Sequence, residues 1–177
     1  DCTTVDSSVA ASHVALLRQI IEGQNLQRLA YGTSGAKSLT ISFWVRSTKT
    51  GIYVVDIYHG DATARTQSHQ YTISEADTWE YKTITFSGDT VIAADNDNAA
   101  TFFVQWGLSA GSDFTSGTLQ TTWANATNAN RFVGQVNFFD STSNNFYLTG
   151  VQMEVGEVAT PFEHEDIGTT LRKARRY

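Results

Sequence analysis

The side chains with the most chemistry to offer in this chain are aromatic rings set among amides and hydroxyls. Phe, Trp and Tyr make up 12% of the 177 residues, with four Trp, while charged residues make up only 17%. A ring face stacks on the C–H face of a sugar, and Asn, Gln, Asp and Arg satisfy the hydroxyls around it. In Ile41-Ser42-Phe43-Trp44-Val45-Arg46, a period of two puts Ile41, Phe43 and Val45 in a core and Ser42, Trp44 and Arg46 on the opposite face. Tyr58 joins that face if Val55 and Ile57 point inward. From 102 to 108, Phe102, Val104, Trp106 and Leu108 read as core, and Phe103, Gln105 and Gly107 as outer. Trp123 adjoins an Asn-rich loop at 125–130, and on the last strand Gln152 and Glu154 oppose Val151 and Met153. The candidate carbohydrate-binding residues are therefore Trp44, Arg46, Tyr58, Gln105, Trp123 and Gln152, with Trp79 and Trp106 assigned to packing.

Other chemistries are less well supplied. His13, His59, His69 and His164 lack paired metal-ligand spacing, and no Gly-x-Ser-x-Gly elbow is present. Asp56, Glu80 and Glu154 lie far apart in sequence, with nothing to set two of them across a glycosidic bond, so no catalytic residue is assigned and the chain is expected not to be an enzyme. Asp95-Asn96-Asp97-Asn98 gathers hard oxygen ligands and makes Asp95 and Asp97 the candidates for a structural calcium. Ala99 and Ala100 stand where an EF-hand loop needs a ligand and Gly, and no cofactor is required. The stretch 32–38 has Ala36 rather than Gly before Lys37 and leads into a strand pattern, which excludes a phosphate loop. Asn125-Ala126-Thr127 is a frequent chance sequon.

Strands must position these side chains. Apolar runs of the right length and period fall at 14–21, 39–46, 52–59, 70–73, 81–86, 101–108, 118–123, 132–139 and 146–155, separated by turn signals such as Lys49-Thr50-Gly51, Ser87-Gly88-Asp89 and Ala110-Gly111-Ser112. These runs predict nine strands and an antiparallel sandwich of two sheets, with a helical turn near Leu26 and Leu29. Along 146–155, Phe146, Leu148, Gly150, Gln152 and Glu154 alternate with Tyr147, Thr149, Val151, Met153 and Val155. Gly156 ends that strand, Pro161 turns the chain out of the sheet, and Phe162 packs back. Ile167, Leu171 and Ala174 form a narrow stripe on a short C-terminal helix expected to dock, or alternatively to make a symmetric subunit contact, with Arg172, Lys173, Arg175 and Arg176 facing elsewhere.

The expected organisation is a loose lead-in at 1–12, one sandwich domain at 13–166 and the helix at 167–177. The sole cysteine, Cys2, excludes an internal disulfide and reads as exposed. The formal charge is -6, and the 171 residues before the basic tail hold eight basic against 18 acidic side chains, a balance of -10 that repels a phosphate backbone. Nucleic acid is not an expected partner. No apolar run reaches the length of a membrane span.

The run Leu148-Thr149-Gly150-Val151-Gln152-Met153-Glu154-Val155-Gly156, followed by Val158-Ala159-Thr160-Pro161-Phe162-Glu163, resembles the closing segment of C-terminal domains in tail-fibre and appendage proteins of tailed bacterial viruses. The closing Lys173-Ala174-Arg175-Arg176-Tyr177 stands where that family has a cysteine-containing string. Residues 39–47 and 78–82 resemble strands of jelly-roll carbohydrate-binding modules. The resemblance implies an all-β, antiparallel jelly-roll sandwich, a place on the virion, and recognition of host-surface glycan as part of a longer fibre protein. A fibre cap or homotrimerisation domain indifferent to sugar is the alternative, and a polysaccharide-degrading enzyme a more distant one.

Overall fold

The computed structural model describes residues 1–175 apart from the side chain of Ala174, so the sequence expectations at Arg176 and Tyr177 and the inward side of Ala174 lie outside the described residues. Among the described residues eight strands, all antiparallel, form two facing sheets: β1 (Val14–Glu22), β6 (Ala100–Ala110), β3 (Gly51–His59), β4 (Arg65–Ile73) and β7 (Ala124–Asn125) in one, and β5 (Glu80–Phe86), β2 (Leu39–Ser47) and β8 (Phe146–Val155) in the other. The result is an all-β sandwich. Leu39, Ile41, Phe43 and Val45 of β2 are at most 1% exposed, and the same face of β3 buries Tyr53, Val55 and Ile57 completely. Each such aliphatic side chain contributes roughly 1.5–3 kcal/mol by leaving water. Phe43 meets Tyr71 and Trp106 edge-on, with ring centroids 5.2 and 5.8 Å away, which ties the two sheets together at the centre.

Two expected strands are absent. Residues 118–123 accept hydrogen bonds from β4 at Gln120 O from Ser68 N–H, at Thr121 O from the Gln67 amide and at Trp123 O from Arg65, and only Ala124 and Asn125 complete a ladder. Residues 132–139 are a loop ending in a 3-10 turn at Phe138–Asp140. Phe132 in that loop is fully buried on the outer face of the five-stranded sheet, over Gly107, where an added Cβ would stand 2.8 Å from Phe132 Cδ1. An aromatic that docks on a sheet from outside looks the same in sequence as one inside a strand.

The predicted turn near Leu26 resolves into two 3-10 turns, Gly23–Asn25 and Gln27–Leu29, with both leucines buried. Cys2, expected to be exposed, is 3% exposed: its N–H donates to Asn144 O at 2.9 Å and its thiol to Thr4 O at 3.2 Å. Asp6 N–H donates to Phe139 O, so the expected lead-in lies against the 138–144 loop at two points. A helical turn, α1 (Ser112–Thr115), opens the long connection after β6, and α2 (Ile167–Ala174) begins at Asp166, whose carboxylate accepts from Thr169 N–H. The apolar stripe of α2 does not dock, since Ile167 is 86% and Leu171 48% exposed. No helix among the described residues is long and apolar enough to cross a membrane.

Candidate functional site

The outward face of the three-stranded sheet can be read row by row, because directly paired residues share a face. Across β5, β2 and β8 the rows are Thr85-Thr40-Glu154, Thr83-Ser42-Gln152 and Tyr81-Trp44-Thr149, and Arg46 pairs with Tyr147 beyond them. The register requires a β-bulge: between Ser42 and Trp44 two residues of β8, Gly150 and Val151, oppose the single Phe43. The unbroken alternation expected for 146–155 is therefore wrong. Phe146 and Leu148 share the inner face with Met153, while Tyr147 and Thr149 share the outer face with Gln152 and Glu154. Gly150 takes φ +56°, and a Cβ there would stand 3.2 Å from Trp44 Cδ1. Glycine thus both permits the bulge and leaves room for the indole.

The chain after β8 turns back over half of this face. Gly156 N–H donates to Ser38 O, Thr40 Oγ1 donates to Gly156 O, Glu154 accepts from the N–H and hydroxyl of Thr160, and Gln152 accepts from Glu163 N–H at 2.8 Å while donating to Thr160 Oγ1 at 3.2 Å. Thr40 and Ser42 are consequently buried although they point outward. Gln152 clamps this return, with both ends of its amide in use.

The other half stays open and is aromatic. Trp44, Trp79, Tyr81 and Tyr147 are 42, 41, 45 and 39% exposed. Trp44 and Tyr81 rings lie 5.3 Å apart, and Trp79 and Tyr147 rings 6.4 Å apart. Between the second pair sits the Arg46 guanidinium, 4.5 Å from the Tyr147 ring centre and 5.6 Å from that of Trp79. Its Nε is 3.4 Å from Asp77 Oδ1, an ion-pair distance without hydrogen-bond geometry. Arg46 thus props two rings apart instead of projecting into solvent, an arrangement worth about 0.5–1 kcal/mol at an exposed site. The 74–79 turn that holds Trp79 is fastened by Glu80, which accepts from Ser74 N–H and Glu75 N–H at 2.7 and 2.9 Å. Desolvation works to raise the Glu80 carboxyl, but hydrogen bonds from Lys82, Glu75 and Ser74 hold it below its ordinary range. Exposed Thr83 and Thr149 border the Trp44–Tyr81 pair with hydroxyls.

The six residues picked from sequence therefore do not share a site. Trp44 and Arg46 lie on the open aromatic face, and Gln152 is on the same face but under the return segment. Val55 and Ile57 do point inward, yet Tyr58 then faces outward from the other sheet, on the far side of the sandwich, where Gln105 is 1% exposed. Both contact Arg131, whose guanidinium lies 4.9 Å from the Tyr58 ring and donates to Gln105 Oε1 at 3.0 Å. Trp123 packs at the end of the core against Phe102, Tyr31 and His59, and its indole N–H donates to Ser87 O at 2.6 Å. Trp79, Tyr81 and Tyr147 were missed. Tyr81 and Tyr147 alternate with inward Ile84, Phe86, Phe146 and Leu148, but only the pairing register brings them beside Trp44 and Arg46.

Asp95 and Asp97 are exposed on the loop before β6, where Asp97 Oδ1 accepts from Ala99 N–H and Asp95 N–H donates to Asp61. Asp89 is buried and paired with Arg65 at 2.7 Å. Among the described residues no group of three or more His, Cys, Asp or Glu side chains is placed to hold a metal ion. Comparison with known proteins finds no matching family model, no matching curated protein and no matching solved structure, so the reading of this face rests on its own geometry.

Proposed function

We propose that the open half of the three-stranded sheet is a carbohydrate-binding platform, and that the chain is a non-catalytic module of a virion appendage recognising glycan on a host cell surface. The observation that supports it is the set of two neighbouring ring pairs, Trp44 with Tyr81 and Tyr147 with Trp79, each ring roughly two-fifths exposed, with the Arg46 guanidinium between the second pair and threonine hydroxyls beside the first. Four ring faces held in place by the sheet offer stacking area with little side-chain entropy to lose. The jelly-roll class belongs to the same reading, supported by two antiparallel sheets between which the chain crosses repeatedly. A glycan array followed by titration of Trp44→Ala tests it. The expected result is affinity about tenfold weaker, equivalent to about 1.4 kcal/mol, with a melting temperature close to that of the parent. No bound glycan, or unchanged affinity in the variant, overturns it.

A second reading, a homotrimeric fibre cap, is favoured by one specific feature: Val158, Ile167 and Leu171, at 75, 86 and 48% exposure, leave the C-terminal segment with apolar side chains in solvent. Size-exclusion chromatography with light scattering separates the two. A sugar-binding monomer supports the platform, and a sugar-indifferent trimer supports the cap.

A further inference from the structure

On the opposite side of the molecule, where the connection between β6 and β8 crosses the outer face of the five-stranded sheet, a pocket of about 160 Å³ is lined by Arg18, Tyr58, Phe103, Gln105, Asn128 and Arg131. Its floor is built from buried polar groups. Asp56, fully buried, fixes Arg131 through Nη2 at 2.7 Å, and the same nitrogen donates to Gln105 Oε1. An arginine can only donate, so this contact settles which end of the Gln105 amide faces it. The NH₂ end is left as a donor, with no protein acceptor among the described residues, on a side chain of a residue 1% exposed. Arg131 Nη1 is likewise without a protein acceptor. At the rim, exposed Arg18 has no carboxylate partner among the described residues, and its guanidinium rests 5.2 Å from the Phe103 ring centre. Phe103 and Tyr58 form an aromatic wall, their rings 6.0 Å apart. Among the described residues no carboxylate lines the pocket, and Asp56 is paired with Arg131.

We infer that this pocket binds a small carboxylate-bearing ligand of the size of one acidic sugar residue. Donors held in place converge on it from Gln105 and Arg131, Asn128 lines it with an amide, Arg18 supplies the uncompensated positive charge, and the ring wall covers an apolar C–H face. Guanidinium and amide donors favour an acceptor-rich anion, because only such a group satisfies several of them at once. A volume of about 160 Å³ is of the order of one sugar ring. This site is independent of the aromatic platform on the other sheet, and either can fail without the other.

The test is titration of the full chain with glucuronate, with methyl glucoside as its neutral counterpart and with acetate, followed by two-dimensional NMR. Glucuronate is expected to bind in preference to the glucoside, to shift resonances of Arg18, Phe103 and Gln105, and to weaken as salt rises. Arg18→Ala, at an exposed position, should bind about tenfold more weakly, as the loss of a charge-assisted hydrogen bond requires. Arg18→Lys should recover part of that loss. Gln105→Glu, which keeps the shape and gives Arg131 a second carboxylate, should abolish binding. Acetate binding as tightly as glucuronate would assign the pocket to free carboxylates, and weaker acetate binding to acidic sugars. Equal affinity for glucuronate and glucoside, or parental affinity in Arg18→Ala, overturns the proposal.

Discussion

The two outward faces of the sandwich obey the same alternation and meet opposite fates. On the three-stranded sheet the outward Trp44 is 42% exposed, while on the five-stranded sheet the outward Asp56 and Gln105 are 0 and 1% exposed. The difference lies in what crosses each face. The long connection between β6 and β8 lays Phe132 and Arg131 onto the larger sheet, whereas the 156–163 return covers only the Thr40 and Ser42 end of the smaller one. Pointing away from the core is a property of a strand, and reaching water is a property of the whole chain. Polar outward residues under a cover must then find partners, as Asp56 does in Arg131, Thr66 and Ser68. Aromatic residues with no cover remain available.

The largest expected effect breaks the covered face. Arg131→Ala leaves the buried Asp56 carboxylate with hydroxyl donors only and should cost about 3–5 kcal/mol in urea unfolding, the usual consequence of stranding one member of a buried pair. A loss below about 1 kcal/mol would mean that Arg131 is not what holds the connection on the sheet. On the open face, Gly150→Ala places a side chain at φ +56° and 3.2 Å from Trp44 Cδ1. A loss of about 1–2 kcal/mol with altered tryptophan emission is expected, and unchanged stability would remove the bulge from the account of how Trp44 is placed.

The two sheets should also separate on acidification, with smaller and more gradual effects. His59 and His69 both belong to the five-stranded sheet, and burial lowers both below the ordinary 6.5; for His59 it prevails over Asp61 and Asp89 nearby. The unfolded chain then takes up protons before the folded one does, so their contribution is intact above 6.5 and declines as pH falls from there through the depressed folded values. Glu154, held down by Gln152 and Thr160, and Glu80 belong to the three-stranded sheet, and their contribution is present above 4.5 and lost as pH falls below it. Melting temperatures from pH 8 to 3 should therefore fall in two stages. A His59→Phe, His69→Phe variant should flatten only the first, and a parent profile without that stage would show that the histidines titrate alike in both states.

The strand at 39–46 and its inward set Ile41, Phe43 and Val45 were legible because a period of two survives any choice of partner strand, whereas the runs at 118–123 and 132–139 are not strands. The return at Gly156 and Pro161 was legible because both act on the backbone locally, whatever surrounds them: glycine admits the φ of +117° found at 156, and proline fixes its own φ and removes an N–H. The alternation of 146–155 failed for a local reason that leaves a weak trace: a single bulge at Gly150 inverts every side chain beyond it, and glycine in a strand permits a bulge without requiring one.

The sequence by itself determined that this chain is an antiparallel all-β sandwich, with Trp44 and Arg46 outside its core. Only the tertiary structure decided which residues join them there. Alternation sorts side chains into inward and outward, but two sheets have two outward faces. Tyr58 and Gln105 fell on the far one, while Tyr81 and Tyr147 came to Trp44 and Arg46 through pairing between strands distant in sequence, and Trp79 through the turn that precedes β5. Register and sheet membership are set by the summed packing of the core and by the loops that close over it, and no short window of residues contains that sum.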